Sequence, residues 1–560
     1  MSTAESTATS TVLNYPRVTL ASLPPSMAAS YGDRLAVVDG TRTITYRELD
    51  ARTAAFAAAL RAGGVAERDV VLLHLGNGIE FLVAYYGSLR AGATVTLVNP
   101  LQPVPGLRNQ IVETGAVVAV TEAAQAVNLF AAAEDTTVGS VVLVTGDEAV
   151  PQGSVPVVTF DEFLTRAPAE EFPIGVTGDD VAHLAYTGGT TGVSKGVRVL
   201  HRNVIANVTQ MIGWRAGHRV LAGSDGLLTL EPMTEVEDRG VEPGAGATIV
   251  VSPMFHAHAL INTSFLLLSG ATQVLAGRFD PARMLALIEE HRATYITGSP
   301  AMWHAVATHP DARTRDTDSV RVVSSGAAPI DRVTLDALGR AFPSARVVEG
   351  YGLTEATCLV ASAPLTRRAG YRIGSVGVPT FDTEVEIRAV GDPGTVLPAG
   401  ERGQLWVRGP QVTDGYLGHP ETTAEQYVDG WLDTGDIAYR DDDGYLYICD
   451  RAKDMLIYKG YNVYPRELEE ILVTHPGVSA AAVVGRDAGS IGQEPVAFVV
   501  PEPGHDVDEK AMCDFVAEQV LPYKKIRDVV VVDALPTSAA GKIVKARLRE
   551  QLVADAATGS

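Results

Sequence analysis

Runs of Val and Leu that alternate with helical stretches constrain this chain more than any single motif does. Residues 35–39 read as a strand. Residues 45–62 read as an amphipathic helix, with Thr45 as its cap and Glu48 at the spacing of a capping box. Residues 70–75, 79–91 and 93–97 continue as strand, helix and strand, and strands recur at 117–120 and 140–144. Helices of ten or more residues between apolar strands imply βαβ units and parallel sheets. Residues 181–185 read as a buried strand and 200–212 as a helix; alternation resumes at 248–252 and runs past Val347. Between them, residues 222–246 are acidic and turn-rich and read as a surface insertion. Residues 374–408 change to short period-two strands with Gly and Pro turns, a β-rich subdomain. A last unit has helices at 466–472 and 510–519 and strands at 478–484, 495–500 and 528–532.

The fold class expected is therefore α/β: a large N-terminal domain of layered α/β sheets with a β-rich subdomain, and a small mobile α+β C-terminal domain. A chain of 560 residues exceeds what one core fills. The boundaries expected are a disordered tail at 1–17, a large domain at 18–450, a hinge at 451–453 and a small domain at 454–560.

The formal net charge of −22 argues against nucleic acid or an anionic membrane as main partner, since both require basic patches. Cys358, Cys449 and Cys513 are odd in number and far apart, so neither a disulfide framework nor a zinc site is expected, which suits a reducing cytoplasm. The N-terminus has neither a basic start nor an apolar core of signal-peptide length. Residues 257–276 are the most apolar, but Asn262, Thr263, Ser264, Gly270 and Gln273 interrupt them; a buried helix and strand fit better than a membrane span. A soluble cytoplasmic protein with no integral membrane segment is expected.

Five stretches carry chemistry. In residues 186–196, Tyr-Thr-Gly-Gly-Thr-Thr-Gly-Val-Ser-Lys-Gly follows the strand at 181–185. Its backbone N–H groups, hydroxyls and Lys195 can wrap a polyphosphate, although a plain surface turn has the same composition. The Walker spacing is absent, because Ser194 precedes the lysine and Gly196 follows it. The second stretch, Glu349-Gly350-Tyr351-Gly352-Leu353-Thr354-Glu355, offers a ring for stacking, a hydroxyl and a carboxylate suited to magnesium. A strand that ends in a glycine turn before a capped helix is the bland alternative. The third, residues 430–436, ends in Asp436, a carboxylate able to accept both hydroxyls of a ribose. The fourth contains Asp450-Arg451-Ala452-Lys453-Asp454 and then Tyr458-Lys459-Gly460-Tyr461. The fifth, residues 536–542, places Lys542 in a loop of small residues.

In this order and at this spacing, the five resemble the adenylate-forming superfamily of acyl-CoA synthetases, aryl-CoA ligases and firefly-type luciferases. The resemblance spans roughly Val18 to Leu552. The loop wording is closest to fatty-acyl-CoA synthetases, with Ser194 where the family usually has proline. The resemblance implies ATP, Mg2+ and coenzyme A. It implies that Thr187, Gly188, Gly189, Thr190, Thr191, Gly192 and Lys195 cradle the β- and γ-phosphates, and that Gly326, Ala327, Ala328 and Pro329 lie along the adenine. Glu349, Gly350, Tyr351 and Gly352 complete the nucleotide site. Thr354 would contact the α-phosphate, Thr187 and Glu355 would serve the metal, and Asp436 and Arg451 would hold the ribose. Lys542 would bridge the carboxylate and the α-phosphate. Lys453 would be the hinge, with Lys459 and Gly460 lining a path for the pantetheine thiol. His256 would gate that path, and Phe255, His258, Ser325 and Cys358 would line the acyl pocket.

The function so implied is adenylation of a carboxylic acid with release of pyrophosphate, then thioester formation with coenzyme A. The pocket residues are small or apolar and include no cation for a second charge, so an apolar acid is expected: fatty, aryl-alkanoic or polycyclic. The loop wording favours a fatty acid. An aryl-CoA ligase of the coumarate type shares every motif. Loading of an acyl carrier protein, or release of the acyl adenylate alone, is a further alternative. Ile457 stands where luciferases carry a lysine for their oxidative step.

Overall fold

The computed structural model describes residues 13–145, 153, 155–169, 172–186, 194–234, 239–326, 330, 332–365, 372–459, 461–537 and 543–558. The chain forms two compact units. The first draws on Met1–Thr187, Lys195–Glu384 and Val407–Leu432, and the second on Gly188–Ser194, Val385–Trp406 and Asp433–Ser560.

The first unit contains three main sheets. In the largest, the strand order is Val157–Thr159, Ser140–Val144, Val118–Glu122, Val70–His74, Thr94–Leu97, Val181–Tyr186 and Gly196–Leu200. All but the last pair are parallel, as the expected βαβ units require. A second sheet orders Ala247–Val250, Thr272–Leu275, Leu35–Asp39 and Arg42–Thr45. A third aligns Tyr295–Gly298, Val322–Ser325 and Arg346–Gly352 in parallel, then Leu359–Ser362 and Val378–Pro379 antiparallel.

Local sequence explains the helices. Helix Tyr46–Ala62 starts at Thr45, whose hydroxyl accepts from Glu48 N while the Glu48 carboxylate accepts from Thr45 N, the reciprocal cap expected. The helix buries Phe56 against helix Ile79–Arg90. Gly87 allows that approach, because a Cβ there would stand 2.7 Å from Phe56 Cβ. Residues 257–276 form the buried helix Ala257–Leu268 and the strand Thr272–Leu275, and among the described residues no helix is long and apolar enough to cross a membrane.

Two local expectations are corrected. The acidic stretch after residue 222 is not all loop: its start closes a hairpin, with His218–Ala222 paired to Leu228–Pro232, and Leu228, Met233 and Val241 are buried. The glycine-rich motif after Val348 is not a turn. It continues the strand Arg346–Gly352, because Gly350 and Tyr351 pair with Ser362 and Ala361.

The second unit holds most of a sheet ordered Asp392–Val396, Glu384–Ala389, Gly403–Arg408 and Trp431–Arg440, with Leu446–Arg451 on the last strand. It also holds the sheet Val478–Asp487, Gln493–Pro501 and Asp528–Val531, covered by helices Pro465–Leu472, Glu509–Ala517 and Lys545–Thr558. The mixed α/β class with a large first and a small second part is the one expected.

Candidate active site

In the first unit, several of the implicated residues meet around one tyrosine. The antiparallel strands Val181–Tyr186 and Gly196–Leu200 bring Tyr186 opposite Gly196 and hold the two ends of the glycine loop together. Lys195 stands at the start of the return strand, with its Nζ 3.4 Å from Thr422 Oγ1 and 5.7 Å from the centroid of the Tyr416 ring. Strand Arg346–Gly352 leads through Leu353 into the 3-10 turn Thr354–Ala356, which carries Thr354 and Glu355. Thr413 N donates to Glu355 O at 2.9 Å, and Tyr416 Oη donates to Glu355 Oε1 at 2.9 Å. Tyr416 thus links the loop lysine to the motif carboxylate. Burial, then the Glu355 charge, raises its phenol well above the ordinary value, so it stays a neutral donor. No motif contained Tyr416.

The residues expected to line the acid pocket lie on the third sheet and at the start of helix Ala257–Leu268. His256 caps helix Ala257–Leu268, and its ring centroid lies 4.4 Å from that of Phe255. His258, in the first turn, places Nε2 2.9 Å from Thr297 Oγ1. A Cβ built at Gly326 would stand 3.6 Å from His258 Nε2 and 3.7 Å from Gly350 O, so His258, Gly326 and Gly350 are packed against one another. Ser325 is buried, and its Oγ has no hydrogen-bond partner among the described residues. Glu349 is buried, and its Oε1 accepts from Ile330 N at 3.0 Å. Cys358 does not follow Thr354 on a helix. The chain turns at Thr357, where φ is +64°, and Cys358 leads into strand Leu359–Ser362. Burial pushes its thiol up to about 12, which leaves no thiolate for nucleophilic chemistry.

In the second unit, Asp436 and Arg451 are register partners on adjacent strands, with Arg451 Nε 2.7 Å from Asp436 Oδ1. Asp450 accepts from the backbone N–H groups of Arg451 and Arg466, and burial raises its carboxyl. Lys453 follows in the turn; burial, then the Arg451 charge, lowers its ammonium. Asp454 is tied to Arg549 of the last helix. Lys459 has a left-handed backbone, φ +51°, and its ammonium lies 5.2 Å from the Tyr458 ring centroid. Thr187, Gly188, Gly189, Thr190, Thr191, Gly192, Ala327, Ala328, Pro329, Gly460 and Lys542 lie outside the described residues.

The comparisons with known proteins decide the family. The description "AMP-binding enzyme" matches residues 26–417, and "AMP-binding enzyme C-terminal domain" matches residues 467–542. The chain belongs to the AMP-binding enzyme family. Among relatives, 4-coumarate--CoA ligase 1 of Oryza sativa subsp. japonica is 35% identical over 543 residues, 94% of this chain and 90% of that protein. Among solved structures, ATP-bound MatB from Rhodopseudomonas palustris superposes with a TM-score of 0.82 at 27% identity, over 95% of this chain and 98% of that one. A Mycobacterium tuberculosis fatty acyl CoA synthetase gives 0.72 at 28% identity, over 96% and 98%. This member of the AMP-binding family is an AMP-forming acid–thiol ligase of the acyl/aryl-CoA type, and its cofactors are ATP, Mg2+ and coenzyme A.

The residues present fit that cofactor set. Among the described residues no cluster of three or more His, Cys, Asp or Glu makes a protein cage for a metal. Magnesium bound mainly through phosphate oxygens and water needs only one or two carboxylates, and Glu355, whose carboxylate accepts from Tyr416, would be able to supply one.

Proposed function

We propose that this ligase adenylates a planar, largely apolar carboxylic acid, releases pyrophosphate and then forms the thioester with coenzyme A on the same protein. The residue that supports the acid class is Gly326: a side chain there would press on the imidazole, since its Cβ would lie 3.6 Å from His258 Nε2, so the position keeps the region beside His258 small. The coumarate ligase relative supports the aryl form. A fatty acid is the second reading, which the loop wording and the mycobacterial neighbour support.

In the first half-reaction a carboxylate oxygen bonds to the α-phosphorus, and the bond from that phosphorus to the bridging oxygen of pyrophosphate breaks. The attacking group is already an anion, so no general base is required; catalysis is positioning and charge neutralisation. In this reading Lys195 and the residues from Thr187 to Gly192 hold the departing phosphates, Thr354 donates to the α-phosphate, and Glu355 with Thr187 would hold magnesium, which would supply positive charge beside the phosphates. Gly326, Ala327, Ala328 and Pro329 flank the adenine with Glu349, Gly350, Tyr351 and Gly352. Asp436 accepts from the ribose hydroxyls, and the Arg451 ion pair fixes its carboxylate. Lys542 neutralises attacker and α-phosphate together. Phe255, His258, Ser325 and Cys358 line the acid's pocket, His256 gates the thiol's approach, and Lys459 and Gly460 line it.

ATP–pyrophosphate exchange over aryl and fatty acids, repeated with coenzyme A and thioester detection, tests this. Acid-dependent exchange strongest for planar acids, and a thioester, are expected. Lys542→Ala should lower exchange by at least ~100-fold with thermal unfolding unchanged. Exchange at the wild-type rate in that variant, or exchange without thioester, contradicts the reading.

A further inference from the structure

A carboxylate that belongs to no motif closes a circuit of contacts around Lys195. Glu113 stands in the last turn of helix Val104–Thr114, where the helix dipole disfavours an anion. Each of its oxygens has a partner. Oε2 accepts from Tyr186 Oη at 2.7 Å, and Oε1 lies 3.5 Å from His419 Nε2. Burial, then the hydrogen bond to Glu113, raises the Tyr186 phenol, so it stays a donor.

Both partners lead back to Lys195. The Tyr186 ring lies against its register partner Gly196, the residue after the lysine: a Cβ there would stand 3.1 Å from Cζ and 3.2 Å from Oη. Only a glycine leaves the ring that close to the strand. From the other side, Leu417 N donates to Gly196 O at 2.8 Å, and Tyr416 bridges to Val197. Thr423 Oγ1 accepts from Tyr416 N and donates to His419 O, which ties His419 to the tyrosine that meets Glu355. Thr422, in helix Pro420–Gln426 directly after His419, is the residue that Lys195 touches. The circuit therefore runs from Glu113 through Tyr186, Gly196 and Leu417 to His419 and back to Glu113.

We infer that Glu113 is a positioning residue for ATP: its carboxylate fixes the separation between the strand end that carries Lys195 and the segment that carries Tyr416 and Thr422. This rests on the reading of Lys195 and Glu355 as the phosphate and magnesium groups. Glu113 itself touches neither. Without it the Tyr186 ring and the His419 segment lose their common anchor, the Lys195 ammonium samples more positions, and nucleotide binding weakens while the acid's binding does not.

The test combines magnesium–ATP affinity by calorimetry with ATP–pyrophosphate exchange at varied ATP and varied acid. Glu113→Ala should weaken magnesium–ATP binding and raise KM for ATP by about fivefold to tenfold, and leave KM for the acid within about twofold of wild type. Tyr186→Phe keeps the ring on Gly196 and removes the donor. It should give a loss of the same kind, and adding it to Glu113→Ala should cost little more, because both remove one interaction. Glu113→Gln should retain most of the affinity, since an amide can accept from Tyr186 and donate to the imidazole. Unchanged magnesium–ATP affinity in Glu113→Ala overturns the inference, as do equal losses for ATP and acid, or losses that multiply in full in the double variant. Should Glu113→Ala not fold, Tyr186→Phe decides, and an unchanged ATP affinity there overturns the inference. Absence of exchange with every acid in the wild type would overturn the adenylation reading alone, and the calorimetric comparison would still decide this one. A wild type that does not bind magnesium–ATP overturns both.

Discussion

Tyr416 shows what a single residue adds to the candidate site. Its ring lies 5.7 Å from Lys195 Nζ and its hydroxyl meets Glu355 Oε1, so it orients the carboxylate proposed to hold the metal. A hydrogen bond to a charged group contributes about 1.5 kcal/mol, roughly tenfold in rate. Tyr416→Phe keeps the ring and removes that bond. Adenylation should fall about tenfold, and the magnesium concentration for half-maximal exchange should rise; titration of exchange against magnesium measures both. An unchanged magnesium requirement would show that the hydroxyl serves packing alone. Lys195, Glu355, Asp436 and Arg451 could be named as candidates from the sequence because each belongs to a contiguous motif. Tyr416 could not. Its contact with Glu355 spans 61 positions, and no local spacing records such a contact.

Among the elements, the strands and helices that local chemistry determines were read closely. Leu35–Asp39 has the expected bounds, and Tyr46–Ala62 starts after the cap that Thr45 and Glu48 announced. The motif after Val348 was harder to read. Two glycines suggest a turn, but the partner strand Leu359–Ser362 supplies a ladder that holds them extended, and strand propensity gives way to pairing. The turn after Arg451 carries Lys453, the expected hinge. Asp454 N and Met455 N both bond Arg451 O, and the Arg549 contact secures Asp454 from the last helix. We propose that Lys453 is the point about which the small domain turns between adenylation and thioester formation. A proline there fixes φ and prevents that change. Lys453→Pro should keep exchange within about threefold of wild type while thioester formation falls by at least ~100-fold. Stopped-flow measurement of each step separates them, and parallel losses would contradict a hinge at this residue.

For the whole molecule, the net charge of −22 coexists with cations placed one by one, and a pH dependence is built into the interior of the first unit. Burial pulls His74 down to about 4, His183 to about 3 and His201 to about 4, from an ordinary 6.5. Each is bonded as a neutral ring: His74 to Thr121, His183 to Tyr85, and His201 to Leu20 N. Below 6.5 the unfolded chain takes up protons at these sites while the folded chain does not. Their contribution is thus fully present above about pH 6.5 and declines as pH falls toward the folded values, by about 1.4 kcal/mol per pH unit for each ring and ~4 for all three. Buried carboxyls of the second unit, Asp433, Asp450 and Glu469, are raised instead and act in the opposite sense, so the total slope mixes both groups. A difference between variants isolates one ring. His183→Asn keeps a polar group near Tyr85 and removes the titration. From pH 6.5 to 5, its urea-unfolding free energy should fall less steeply than that of the wild type, by about 1.4 kcal/mol per pH unit. Parallel slopes would mean that His183 protonates as readily inside the fold as outside it.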